Sequence, residues 1–233
     1  MKNRNTIFAL AMAASVAALG ARAEAQKELR IGLLTTLSGP LAVAGQEHKR
    51  GLDLALEHLG GKVGGLPTKI ILADDKFRPG EAVQQASKLI DRSKVHVITG
   101  FLVSNSLIAV APRTKGRGVI LMSANAGASP LAGSKCQPNL FVLSFENSQW
   151  SRGVANYLNL KGYKRVYFMG LNYQAGWDQT KAVIRNFKGK AVAEVYTPPS
   201  QLDFSAELTA LRSAKPQAVY AFYGGGAAIS FVK

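Results

Sequence analysis

Short β-branched and leucine-rich runs alternate with stretches whose apolar residues return at helical spacing, and this alternation is what most restricts the fold. The runs lie at Leu29 to Thr35, Lys69 to Ala73, Val95 to Thr99 and Gly118 to Met122, with the length and composition of strands. Between them Leu52, Ala55, Leu56 and Leu59, and then Ala82, Val83, Ala86, Leu89 and Ile90, return at the spacing of one helical face. A strand that feeds a helix and returns parallel closes a right-handed unit, and strands apolar along their whole length need cover on both faces. The predicted fold class is therefore α/β.

The alternation pauses over Asn125 to Asn139, rich in Gly, Ala, Ser and Pro, and then resumes. Strands are expected at Leu140 to Phe145, Arg165 to Gly170, Ala191 to Tyr196 and Ala218 to Phe222, with helices near Gln149 to Leu160, Ala175 to Phe187 and Phe204 to Ser213. Four strands before the pause and four after it imply two similar lobes, residues 26–139 and 140–233. The second lobe is expected to be incomplete, because Gly224-Gly225-Gly226 opens a further helix only just before Lys233.

Residues 1–25 form a separate object: Lys2 and Arg4, an apolar alanine-rich stretch from Ile7 to Leu19, then small-residue triplets around Ala23. That is the pattern of a secretory signal peptide. Its apolar run is shorter than the ~20 residues a spanning helix needs, so export to the periplasm without membrane insertion is expected. The chain carries 29 Lys and Arg against 14 acids, a net charge of +15. These bases come singly or in pairs, such as Lys49-Arg50 and Lys164-Arg165, with no basic run or aromatic stripe, so a solvated surface is expected and no nucleic-acid partner. Cys136 is the only cysteine, which makes it packing filler or a partner to something outside the chain. His48, His58 and His96 have no metal-ligand spacing, so no metal or cofactor is expected.

In open α/β sheets ligands sit beyond the carboxyl ends of the strands, which directs attention to four loops. The first, SGPLAVAG from Ser38 to Gly45, is small and apolar around Ala44. After the third strand Ser104 begins an apolar helical stretch that runs up to Pro112. Ser104 suits an N-cap, and the helix start with its hydroxyl would also attract a carboxylate. After the fourth strand, Asn125, Ala126 and Gly127 leave backbone N–H groups reachable, either as a second donor set or as a plain loop. The fourth loop places Tyr173 and Ala175 where amides and aromatics could wall a pocket, or where Trp177 merely packs a helix start.

Dinucleotide, phosphate-loop, nucleophile-elbow and zinc-protease motifs are absent from the sequence. Asp74-Asp75 is the only adjacent acid pair, but neighbouring residues of a strand point to opposite faces, so capping of the following Pro79 helix, or trimming of the strand end, is the expected role.

From Leu29 to Asn125, SGPLAVAG, DLALEHLGGKVGG, the aspartates before Pro79, Ser104 and AVAP at Ala109 to Pro112 together resemble the periplasmic substrate-binding proteins of branched-chain amino-acid type ABC importers. The resemblance implies a type I fold of two Rossmann-like lobes that close on a ligand. It also implies that the second half of that fold is missing here, and with it much of the stability. The serine matching Ser104 and backbone groups matching Asn125 to Gly127 hold the ligand carboxylate in that family. Ala175 stands where leucine-type binders carry a tyrosine, and Ala44 replaces another expected late in the first loop. NAGASPLAG, Cys136, Trp150 and NYQAGWD look most like the branch that takes up aromatic carboxylates. The implied partners are a small carboxylate ligand and an ABC permease and ATPase complex. A ligand-sensing domain reporting to a receptor and a secreted enzyme with an unrecognised site are the alternatives.

Overall fold

The computed structural model describes residues 27–39 and 41–233. The expected signal peptide and Pro40 of the first loop lie outside the described residues.

The first unit contains β1 (Leu29–Thr35), α1 (Ala42–His58), β2 (Lys62–Val63), β3 (Leu66–Asp74), α2 (Pro79–Asp91), β4 (Val97–Gly100), α3 (Ser104–Thr114), β5 (Ile120–Ser123), a short 3-10 helix (Ser129–Ala132) and β6 (Leu140–Val142). Its sheet has the order β2-β3-β1-β4-β5-β6, with every pair parallel except β2 on β3. β1 lies in the middle and is buried from Ile31 to Thr35, which is why its sequence is continuously apolar instead of alternating. Leu34, Leu89, Ile98, Phe101, Leu107 and Leu121 form the centre of the packed core beneath α2 and α3. Fully burying each of these side chains contributes ~1.5–3 kcal/mol.

The second unit contains α4 (Gln149–Leu160), β7 (Arg165–Leu171), α5 (Gln174–Asn186), β8 (Lys190–Thr197), α6 (Ser205–Ala214), β9 (Ala218–Phe222) and α7 (Gly225–Val232). Its parallel sheet has the order β8-β7-β9. Val166, Phe168, Val183 and Phe187 fill its centre, and Leu171, Phe204 and Ala227 form a smaller cluster at the carboxyl end of β7.

Most elements fall where the hydrophobic period puts them, with three differences. The strand expected at Leu140 to Phe145 is only three residues long, and it pairs with β5 as the edge of the first sheet instead of opening the second. Segment 143–148 is thus where the chain passes between the sheets. β2, two residues long, is too short to leave a periodic signal. Finally, Asp74 and Asp75 do not cap α2, whose N-cap is Arg78 without a side-chain bond. Asp74 instead accepts hydrogen bonds from Leu37 N at 2.8 Å and Ser38 Oγ at 2.7 Å, and Asp75 accepts one from Thr36 Oγ1 at 2.6 Å. Both carboxylates pin the loop after β1, Asp74 from the last position of β3 and Asp75 from the residue just beyond it.

Each sheet has one place where successive connections leave in opposite directions. In the first, β1 leads to β3 on one side and β3 crosses back to β4 on the other; in the second, β7 leads to β8 and β8 crosses to β9. Such switch points open a crevice at the carboxyl ends of the strands.

Candidate ligand-binding site

The two crevices face each other across a partly open cavity of about 140 Å³. Leu102, Ser104, Asn125 and Ala126 line it from the carboxyl ends of β4 and β5, and Tyr173, Ala175, Gln179 and Phe222 from those of β7 and β9. Phe145, Asn147 and Trp150 complete the wall from the passage between sheets and the start of α4. No lining residue carries a charge.

The backbone at the end of β4 explains how Ser104 reaches the cavity. Gly100 has φ 107° and Phe101 φ 56°, both in the left-handed region. A Cβ on Gly100 would lie 2.6 Å from the Leu34 carbonyl oxygen, so only glycine lets β4 turn this closely against β1. Phe101 is fully buried and its N–H donates to Leu34 O at 2.8 Å, which holds a bulky residue in a conformation it rarely adopts. This kink aims α3 across the crevice.

Ser104 is not the N-cap expected from the sequence. Val103 occupies that position with extended angles, and Ser104 is the first helical residue, one per cent exposed, with no side-chain cap bond. The shift by one residue frees its hydroxyl for the cavity. The first intrahelical bond runs from Leu107 N to Val103 O, so the N–H groups of Ser104, Asn105 and Ser106 precede it, at the positive end of the helix dipole.

The other expected site residues separate into two groups. Asn125, Ala126, Tyr173 and Ala175 join Ser104 at the cavity, whereas Ala44 and Gly127 are not among its lining. Ala126 is present without the expected donor role, because its N–H donates to Phe101 O at 2.9 Å. Asn125 Nδ2 likewise donates to Leu102 O, at 3.2 Å, and braces the loop. Gly127 serves packing: a Cβ there would stand 1.9 Å from the Phe145 carbonyl oxygen. Ala44 lies in the first turn of α1, which follows the carboxyl end of β1.

Aromatic rings dominate the remaining wall. Phe145 and Trp150 meet at a tilt with centroids 4.0 Å apart, and Tyr173 meets Phe77 of the first unit at 5.9 Å. Burial pushes the Tyr173 phenol up to about 12, so at neutral pH it is a hydroxyl and able to donate. Trp177, expected to pack the helix start, donates Nε1–H to Asn172 Oδ1 at 3.0 Å. Phe145, Asn147, Gln179 and Phe222 are the lining residues that sequence reasoning missed. The position of Phe222 at the carboxyl end of a strand is the signal that could have found it.

Hydrogen bonds join the units around the cavity. Gln174 N, at the start of α5, donates to Asn105 Oδ1 of α3 at 2.7 Å. Asp178 Oδ2 accepts from Ser129 N at 3.0 Å and from Asn147 Nδ2 at 2.9 Å. Cys136 is exposed and unpaired, which rules out a role as packing filler. His96 Nδ1 accepts from Arg30 N, and His48 Nδ1 lies 3.1 Å from Thr35 Oγ1, so both histidines are structural. Among the described residues no group of three or more His, Cys, Asp or Glu is arranged to hold a metal, and no helix is long and apolar enough to cross a membrane.

Two lobes built on largely parallel sheets, with their switch points facing one small cavity, are the arrangement of this chain. Residues 28–233 match the periplasmic binding protein family, and the chain belongs to it. A solute-binding protein of an ABC transporter from R. palustris, solved in complex with benzoate, is similar at TM-score 0.84 and 32% identity, over 88% of this chain and 58% of that one. A second R. palustris solute-binding protein, in complex with 4-hydroxybenzoate, gives TM-score 0.82 and 27% identity over 88% of this chain and 56% of the other. The Streptococcus pneumoniae branched-chain amino acid transporter substrate-binding protein LivJ, in complex with isoleucine, gives 0.75 and 27% over 84% of this chain and 57% of the other. Leu/Ile/Val-binding protein homolog 6 of Brucella abortus is 27% identical over 218 residues, 92% of this chain and 55% of the relative. The chain thus spans little more than half the length of these relatives, and its fold is that of type I periplasmic binding proteins.

Proposed function

We propose that this protein is the periplasmic solute-binding component of an ABC importer, exported by its N-terminal segment, and that it captures a small aromatic carboxylate between its lobes and delivers it to a permease. The carboxylate is held at the start of α3 by the Ser104 hydroxyl and the first N–H groups of the helix, through charge-assisted hydrogen bonds. The ring lies among Phe145, Trp150, Tyr173 and Phe222. No bond is made or broken; closure of one lobe on the other changes the surface offered to the permease.

One observation carries the choice of ligand. The cavity measures about 140 Å³, and an apolar cavity of ~150 Å³ is known to hold one benzene ring. Its lining has donors at one end and aromatic faces around the rest. The benzoate and 4-hydroxybenzoate bound by two of the similar structures support the same chemistry.

Isothermal titration calorimetry of the chain with benzoate, 4-hydroxybenzoate, leucine and isoleucine tests this reading. Saturable binding of the aromatic acids, with the aliphatic amino acids weaker, is expected. Preference for leucine or isoleucine, or conversion of the ligand into a product, would refute it.

A further inference from the structure

Asn147 lies in segment 143–148, between the sheets, and is three per cent exposed. Its own N–H donates to Gly127 O at 2.8 Å, which fixes its backbone to the first lobe. Its side-chain Nδ2 donates to Ser104 Oγ of the first lobe at 3.3 Å and to Asp178 Oδ2 of the second at 2.9 Å. An amide nitrogen has two hydrogens, and both are used, one toward each lobe.

The chemistry of this chain of groups has a direction. A carboxylate accepts hydrogen bonds and does not donate them, so the amide must turn its nitrogen, not its oxygen, toward Asp178. The same nitrogen then faces Ser104 and makes Oγ an acceptor on that side. A hydroxyl has one proton, and the Ser104 proton is left for another direction; Ser104 makes no side-chain cap bond and lines the cavity. We propose that Asp178 and Asn147 are positioning residues that act through Ser104, orienting its hydroxyl as a donor to the ligand carboxylate. The inference rests on the carboxylate reading above and deepens it.

Neither the Asp178 nor the Asn147 contact has to touch the ligand to act. Asp178 belongs to α5 of the second lobe, and Ser129 N and Gln174 Nε2 also hold it in place. Its arrival at Asn147 therefore accompanies lobe closure, and the donor set at Ser104 is completed only when the lobes meet. By linkage, a ligand that needs that donor favours the closed arrangement to the same degree.

A double-mutant cycle on the full chain, titrated with benzoate and benzamide by calorimetry, separates this role from a merely structural one. Asp178→Asn should weaken benzoate binding about tenfold, lower the benzoate-to-benzamide preference, and change affinity less than ~2-fold when Ser104→Ala is already present. Asn147→Ala should behave alike and serves if Asp178→Asn does not fold by circular dichroism. Losses that persist undiminished beside Ser104→Ala, or an unchanged preference, would overturn the relay while leaving the carboxylate reading intact. A wild-type chain that binds no carboxylate, or a Ser104→Ala chain that binds benzoate as well as wild type, would overturn both.

Discussion

Replacing Ala175 by tyrosine tests whether the cavity is built for a ring. Ala175 is seven per cent exposed in the first turn of α5, and its methyl group lines the cavity. The cavity holds about 140 Å³, close to the ~150 Å³ of an apolar cavity that takes up one benzene ring. A phenol ring placed there from position 175 occupies what the ligand ring would use. The chain should still fold, because the added ring enters empty space and does not compress the core. An aromatic ligand would lose the burial of its ring, ~1.5–3 kcal/mol, equivalent to roughly 10- to 150-fold in affinity.

The measurement is calorimetric titration of wild type and Ala175→Tyr with benzoate, followed at several temperatures. Loss of affinity should be accompanied by a smaller negative heat-capacity change, because less apolar surface is buried. Unchanged affinity and heat capacity in a folded variant would mean that the ring does not sit in this cavity, and the assignment of the site would fail.

Four further outcomes are expected. Ser104→Ala should weaken benzoate binding by ~1.5–3 kcal/mol through loss of a hydrogen bond to a charged group, and should also lower the unfolding midpoint, because one hydrogen of the buried Asn147 amide loses its acceptor; calorimetry and urea titration report the two quantities separately. Gly127→Ala would bring a Cβ to 1.9 Å from the Phe145 carbonyl oxygen, which should cost about 1–3 kcal/mol or more in urea unfolding. By contrast Gly80→Ala, in the first turn of α2 with nothing within 4 Å, should be neutral or stabilise by up to ~1 kcal/mol. Acid should destabilise the chain in two stages. Burial holds His48 below its ordinary 6.5. Burial alone would raise Asp74 and Glu146, but hydrogen bonds from Ser38, Leu37 and Lys76, and from Ser129 and Ser148, hold them below their ordinary 3.8 and 4.5. All three groups bind a proton less readily folded than unfolded, so their contribution is complete above the unfolded values and is lost as pH falls through the folded ones. Urea midpoints should fall first below about pH 6.5 and again below about pH 4.5, and His48→Gln should remove the first stage alone.

What could be read in the sequence is what local physics controls. β1 is found where its apolar run ends, because a strand covered on both faces must be apolar along its length; β9 also falls on its apolar run, although one of its faces is exposed. The loops holding Ser104 and Asn125 were legible for a related reason: in a parallel sheet the carboxyl ends of the strands all open on one side. β6 was misplaced because three residues carry no period, and its membership in a sheet depends on β5 offering an edge. Gly127 looked like a loop glycine that exposes an N–H, yet its role is set by a carbonyl eighteen residues on in sequence, at Phe145.

The same distinction explains why the carboxylate grip was only half legible. Ser104 was identified as a helix-start serine, and the expected bond to its own helix would have consumed its hydroxyl. The positive φ of Gly100 and Phe101 moves the helix start one residue earlier, so Val103 becomes the cap and Ser104 enters the first turn. A cap serine satisfies its helix, whereas a first-turn serine must find another partner, and here the partner is Asn147, on the path between lobes. That partner has no periodicity and no motif; its amide matters because two lobes, each specified by its own core, come within hydrogen-bond distance of it. The proposed recognition chemistry thus rests where the local code is weakest, in the irregular segment between the two sheets, where neither a period nor a motif announces it.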